Sequence, residues 1–227
     1  MTDKNLAAKG YYRLSCPKAE AFLDGRTDKE TLLIKADNLS YNGIEIDDSD
    51  ILAKIIIKTG VKQGECRYTY DSRLNTLTVT QDDILTDSFA SSSLSVIGHK
   101  IASANPMDIE IKLISEQKSK KLCDRSVIAF AVRHGRDMTV GVGLAVNTDG
   151  ILHSKKNYIK IVGAKKAEIF VKVTNGYNPI SKLIELDIDK VLDNCRSQMY
   201  LVESELYDVL KMKHLMDIEK HKITDKK

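Results

Sequence analysis

The chain has 227 residues, 42% of them apolar, and a net charge of +3, so it can bury a core without disulfide staples, and its scattered cations do not mark a nucleic-acid footprint. Tryptophan is absent, which takes from a sugar-binding groove one of its usual flat apolar platforms. The opening MTDKNLAAKGYYRL lacks an apolar run of signal-peptide length and no stretch approaches the roughly 20 residues of a membrane span, so the expectation is a cytoplasmic chain with neither membrane nor nucleic acid as partner.

The first fifty residues are polar and broken by Pro17, Gly25 and Gly43, with Leu32-Leu33-Ile34 the best strand candidate. A stronger strand follows at Ile51 to Lys58, whose nearly continuous apolar character suggests burial on both faces or a central place in a sheet. A hairpin comes next: Glu65 to Tyr70, a turn at Asp71-Ser72-Arg73, then Asn75 to Thr80 with Leu77 and Val79 on one face. One strand is expected through Phe89, another through Leu94 to Ile97, and a third from Met107 to Ser115 with Ile109, Ile111 and Leu113 inward. A Lys-rich loop over Glu116 to Lys121 then leads to a β meander from Val127 to Tyr177, where Val, Ile and Phe alternate with polar residues. Its turns are assigned to Asn147-Thr148-Asp149-Gly150 and Ala164-Lys165-Lys166. The strand at Ile51 with its hairpin echoes the strand at Thr139 with its hairpin, which reads as recurrent meander grammar rather than duplication.

After Pro179 the period changes. Ile188, Val191, Leu192, Cys195, Met199, Val202, Leu206, Val209 and Leu210 fall three or four apart, the pattern of an amphipathic helix with Asp187 as N-cap and Ser204 available to cap a second helix. The fold class expected is mainly β, an antiparallel β-sandwich with a C-terminal helical segment, divided into a sandwich over residues 1–179 and a helical linker over residues 180–227.

Residues with chemistry to offer are sparse. Cys16, Cys66, Cys123 and Cys195 have wide spacings and no C-x-x-C pair, so isolated thiols are expected. Glycosidases set two carboxyl groups across a sugar, but Asp47-Asp48, Asp82-Asp83 and Asp187 with Asp189 read as turn or helix-start residues. His99 and His153 read as lone loop histidines, and His214 as a helix residue that packs on the β domain or bonds a backbone carbonyl. Gly141-Val142-Gly143 lacks the third glycine of a dinucleotide loop and fits close packing or a bend within a strand. Asn38-Leu39-Ser40 matches the glycosylation triplet by chance. The densest polar cluster, Arg133-His134-Gly135-Arg136-Asp137, is a hairpin turn whose His134, Arg136 and Asp137 are the candidate ligand-binding residues. No metal, cofactor or catalytic residue is assigned.

The meander, the turn NTDG, the segment VTNGYNP and the helix YDVLKMKHLMDIEKHKI, together covering roughly Asp87 to Ile223, resemble the N-terminal region of glycoside hydrolase family 95, the α-L-fucosidase group. The most specific part pairs Gly163-Ala164 and Ala167-Glu168-Ile169 with a helix carrying Tyr207, His214 and Asp217, similar to the family's linker motif. Ile218 stands where the family usually has Tyr. The resemblance implies a supersandwich that precedes linker helices and a helical (α/α) barrel, and the family's catalytic acid, base and supporting Asn lie on that barrel. It therefore implies a non-catalytic accessory domain, structural or substrate-shaping, whose partner is a helical catalytic barrel in the same longer polypeptide or on a separate chain, with carbohydrate as a further partner. A stand-alone carbohydrate-binding module and a self-associating structural protein are the alternatives.

Overall fold

Alternating β-branched residues give the chain a set of strands that pair antiparallel throughout. A computed structural model describes residues 11–16, 19–36, 51–62, 64–115, 117–134, 138–156, 158–175, 177–178 and 183–224. In chain order these form β1 (Tyr12–Cys16), β2 (Ala19–Leu23), β3 (Lys29–Ala36), β4 (Ile51–Lys58), β5 (Arg67–Asp71), β6 (Thr76–Gln81), β7 (Ile84–Ser91) and β8 (Val96–Ser115). There follow β9 (Lys120–Asp124), β10 (Val127–His134), β11 (Met138–Thr148), β12 (Ile151–Lys155), β13 (Tyr158–Asn175), and the short pair β14 (Tyr177–Asn178) and β15 (Leu183–Ile184). Helices α1 (Ile188–Glu203) and α2 (Tyr207–Thr224) end the chain.

Two long strands organise the rest. The first half of β8 pairs with β7 and with the second half of β13, Val171 opposite Ile97, while its second half pairs with β4 and with the first half of β13, Tyr158 opposite Lys112. One sheet therefore runs β5-β6-β7-β8-β13-β11-β10-β9 and the other β1-β2-β3-β4-β8-β13-β12, with β8 and β13 bending from one into the other. At the corner the register slips: Ala164 faces Met107 and Lys166 faces Ala102, leaving Ser103 to Pro106 without β13 partners. Pro106 is tolerated there because a proline gives no ladder donor. Gly163 supplies a φ of +67°, and its N–H donates to Asp108 Oδ1 at 3.1 Å.

The sheets close face to face over one core. Ile97, Ile101, Val142, Leu144, Ile169 and Val171 from the first sheet meet Leu14, Leu32, Ile34, Ile55 and Ile57 from the second. The outer face of the first sheet is covered as well. On β10 and β11 that face carries Ala129, Ala131, Gly141, Gly143 and Ala145, a trough of small residues into which α1 sets Val191, Leu192, Cys195 and Met199. This double burial explains the two glycines: a Cβ at Gly143 would stand 2.5 Å from Met199 Cγ.

The mainly β class with a C-terminal helical segment holds, as does the N-cap, where the Asp187 side chain accepts from Asp189 N. Four local expectations are corrected. Ala164-Lys165-Lys166 is not a hairpin turn but the corner of the continuous β13, and the strands expected at Leu94 to Ile97 and at Met107 to Ser115 are the two halves of β8. Ser204 closes α1, its N–H returning to Tyr200 O and Val202 O, instead of opening α2. His99 and His153 lie on β8 and β12, not in loops. The echoing strands β4 and β11 occupy different places, β4 between β3 and β8 in the second sheet and β11 between β13 and β10 in the first.

Candidate functional site

Helix α2 lays one face on β7 and β8, and that face carries Tyr207 and His214, which the sequence singled out, together with Lys211. Positions 207, 211, 214 and 218 recur three or four apart and share a side of the helix. Tyr207 is fully buried; its hydroxyl donates to Asp87 O at 2.6 Å, with Asp87 Oδ2 at 3.2 Å. Burial first, then the neighbouring Asp87 carboxylate, holds that hydroxyl well above the usual tyrosine pKa, so it stays a donor. Lys211 Nζ reaches both oxygens of Asp87, at 2.8 and 2.6 Å. His214 is buried with Nε2 2.8 Å from Leu74 O, its ring stacked 5.5 Å from Phe89, which meets Tyr207 edge-on at 5.2 Å. Phe89 has room for its ring because Gly98, opposite it on β8, has no side chain.

At the far end of this face Asp217 accepts from Ser93 in the β7–β8 turn. Ser92, Ser93, His214, Asp217 and Ile218 line an open cleft of about 270 Å³. Burial pushes the His214 imidazole below its ordinary pKa, while the Leu74 carbonyl and Asp217 pull it back. The Nε2 position beside a carbonyl fixes it as the N–H tautomer there, so the ring is a donor committed to the backbone. The arrangement anchors a helix to a sheet through groups that are each already occupied.

A second polar group crosses the core. His99 on β8 is fully buried, with Nδ1 2.8 Å from Ser88 Oγ on β7 and Nε2 3.1 Å from Glu30 Oε2 on β3, ion-pair distance but off the line of a straight hydrogen bond. Ser, His and Glu are the residue types of a hydrolytic triad. Exposures of 1%, 0% and 3% seal them from any substrate, so they join the two sheets and do not perform acyl transfer. The other Glu30 oxygen finds no hydrogen-bond donor among the described residues. Asp24 is drawn into the same neighbourhood, its carboxyl raised by burial despite donation from Thr31 N at 2.9 Å.

Where edge strands β1 and β5 meet, Tyr12 stacks on Tyr68 at 5.6 Å and tilts against Tyr70 at 5.4 Å, and Tyr70 donates to Arg13 O at 2.7 Å. Tyr68 and Tyr70 remain exposed. These tyrosines close the seam between the sheets and leave ring surface facing solvent.

No family model matches the chain, and no curated protein matches it. Among solved structures, a chain described as a candidate kojibiose phosphorylase from the human microbiome is similar over 91% of this chain and 32% of its own length, at 12% identity and a TM-score of 0.48. The chain thus spans just under a third of that protein. A likeness at that level assigns no activity.

The sequence-derived candidates fall apart from these clusters. His134 ends β10 opposite Met138 of β11, and its side chain, together with Arg136 and Asp137, lies outside the described residues, as does the Asn38-Leu39-Ser40 triplet. His153 is exposed on β12. Asp82 sits at a φ of +48° in the β6–β7 turn, and Asp83 accepts from Asn105 at 3.0 Å. Cys16, Cys66, Cys123 and Cys195 are free thiols, and among the described residues no group of three or more His, Cys, Asp or Glu is placed to hold a metal ion. Sequence reasoning passed over Glu30, Ser88 and Asp87. No local signal marked them: Glu30 stands between Lys29 and Thr31 at the polar start of its strand.

Proposed function

We propose that this chain is a non-catalytic accessory β-sandwich, related to the N-terminal domain of family 95 glycoside hydrolases (α-L-fucosidase-like), that braces or shapes the substrate side of a helical catalytic barrel. The barrel would be carried in the same longer polypeptide or on a separate chain. In this reading residues 1–179 form the sandwich and residues 180–227 the linker. The observation that carries it is the attachment of α2 at three points, Tyr207 and Lys211 on Asp87, His214 on the Leu74 carbonyl and Asp217 on Ser93, which fix the helix as a rigid connector. Its opposite side presents Met212 and Met216, with Leu206 before it and Leu201 on α1, all at least half exposed, an apolar surface suited to a further packing partner. The test is hydrolysis of aryl α-L-fucosides and aryl galactosides by the chain alone, where none is expected. Turnover that disappears with one Asp or Glu substitution would overturn the reading.

The exposed Tyr68 and Tyr70 beside Tyr12 favour a second reading, a carbohydrate-binding module. Titration calorimetry with fucosylated and plant-wall oligosaccharides separates the two. Heat that is lost on Tyr68→Ala supports the module, and its absence supports the brace.

A further inference from the structure

The two sheets differ on their outer faces. The first is covered by α1 and α2, whereas the second turns toward solvent the outward positions of β4, β8, β13 and β12. Register places those positions in rows that cross the strands. One row reads Lys58, Glu110, Lys160 and His153; the next reads Ile56, Lys112, Tyr158 and Lys155. Within each row the lysines fall on alternate strands, about 10 Å apart at two interstrand spacings, and the rows are staggered. Lys54 continues the band on β4, and Lys29 on β3 lies opposite Lys58. Against these six lysines the outward positions of the same strand segments hold two carboxylates, Asp108 and Glu110.

Both carboxylates are outnumbered where they stand. Lys112 pairs with Glu110 at 2.9 Å and Lys160 with Asp108 at 3.4 Å. Glu110 is held below the usual carboxylate pKa by the Lys112 hydrogen bond first, with Lys58 and Lys160 adding to the field from the neighbouring strands. Among the described residues no carboxylate comes within ion-pair distance of Lys29, Lys54, Lys58 or Lys155. An accumulation of one sign on a flat surface concentrates counter-ions of the other.

We propose that this outer sheet face is a binding surface for an extended acidic polysaccharide, a chain of uronate sugars lying across the strands of β4, β8, β13 and β12. Two features select that ligand over other polyanions. All the cations of the band are lysines; the planar, bidentate grip on phosphate that arginine provides is missing from it, and one tyrosine does not make a stacking ladder for bases. Between the lysines the rows offer Ile56 and Tyr158, with Val162 and the exposed Ile151 opposite each other at the edge, apolar surface for the CH faces of sugar rings. The surface lies apart from the helices and the seam tyrosines and does not depend on the accessory-domain reading.

The test is affinity electrophoresis and calorimetry of the full chain with polygalacturonate. Fully methyl-esterified polygalacturonate, poly-glutamate and single-stranded DNA serve as comparison polymers. Expected is binding to polygalacturonate alone, weakened at least tenfold by Lys112→Glu with Lys155→Glu, and reduced by added salt. Arg73→Glu/Lys213→Glu, with the same charge change away from the band, should bind as the unaltered chain does. Absence of binding, equal binding to the esterified polymer, poly-glutamate or DNA, or an equal loss in the control variant would each overturn the proposal. Unchanged thermal melts show that the variants fold.

Discussion

The trough beneath α1 makes a quantitative demand on Gly143. Its backbone is ordinary extended strand, so replacement by alanine meets no conformational barrier and, by narrowing the unfolded ensemble, would stabilise by about 0.4–1 kcal/mol if space were open. Space is not open. The added methyl would lie 2.5 Å from Met199 Cγ, 2.8 Å from Cys195 Sγ and 2.9 Å from Met199 Sδ, each short of the roughly 3.5–4.0 Å at which carbon contacts are favourable. Relief requires Met199 to leave its rotamer or α1 to lift, and overpacking of this kind costs about 1–3 kcal/mol. The net expectation for Gly143→Ala is destabilisation by about 1–2 kcal/mol. Urea unfolding measures it, and Cys195 supplies an independent readout. Buried beneath the helix, with its thiol pushed up to about 12, Cys195 should resist a disulfide reagent in the unaltered protein and react faster in Gly143→Val. A Gly143→Ala protein as stable as its parent, with Cys195 no more reactive in the valine variant, would refute the close seating of α1.

Glu30→Ala should cost about 1–3 kcal/mol in denaturant unfolding, because it takes the neighbouring carboxylate from the buried His99 Nε2, while Glu30→Met combined with His99→Leu, which removes both polar groups, should lose less. For His214 the sign follows from a folded pKa below the ordinary value. As pH falls through about 6.5 the unfolded chain takes up a proton that the folded chain refuses. The His214 contribution is thus fully present above that pH and is lost as pH drops toward the folded pKa; melting temperatures from pH 7.5 to 5 should fall less steeply in His214→Asn than in the unaltered protein.

Local periodicity carried the sequence reading where a strand's neighbours matter little. The strand at Ile51 to Lys58 was legible to its ends, and the switch to helical spacing after Asp187 was clear. The corners were not legible, because a bend from one sheet to the other uses the same residues as a hairpin turn. Apart from the buried Ala164, Ser103 to Pro106 and Gly163 to Lys166 are polar, exposed or glycine in either case, and only the pairing of β8 with β13 tells them apart. His99 sits between Gly98 and Lys100 and so reads locally as a loop residue; its burial comes from Glu30 in the opposite sheet. Gly141 and Gly143 did announce close packing, whereas Ala129, Ala131 and Ala145, which complete the trough, were not singled out. The Tyr207, His214 and Asp217 spacing was readable as one helix face, but their partners Asp87, Leu74 and Ser93 were not.

The sharing of β8 and β13 also sets a timetable for synthesis. β8 is complete at Ser115, but its long partner ends only at Asn175, and at ~5–20 residues per second the roughly 60 intervening residues take about 3–12 s to make. Throughout that interval an apolar strand edge waits in both prospective sheets, open to pairing with a neighbouring nascent chain. Lys118, Lys120 and Lys121 emerge directly behind β8. Their charge falls where such an edge most needs a gatekeeper against aggregation.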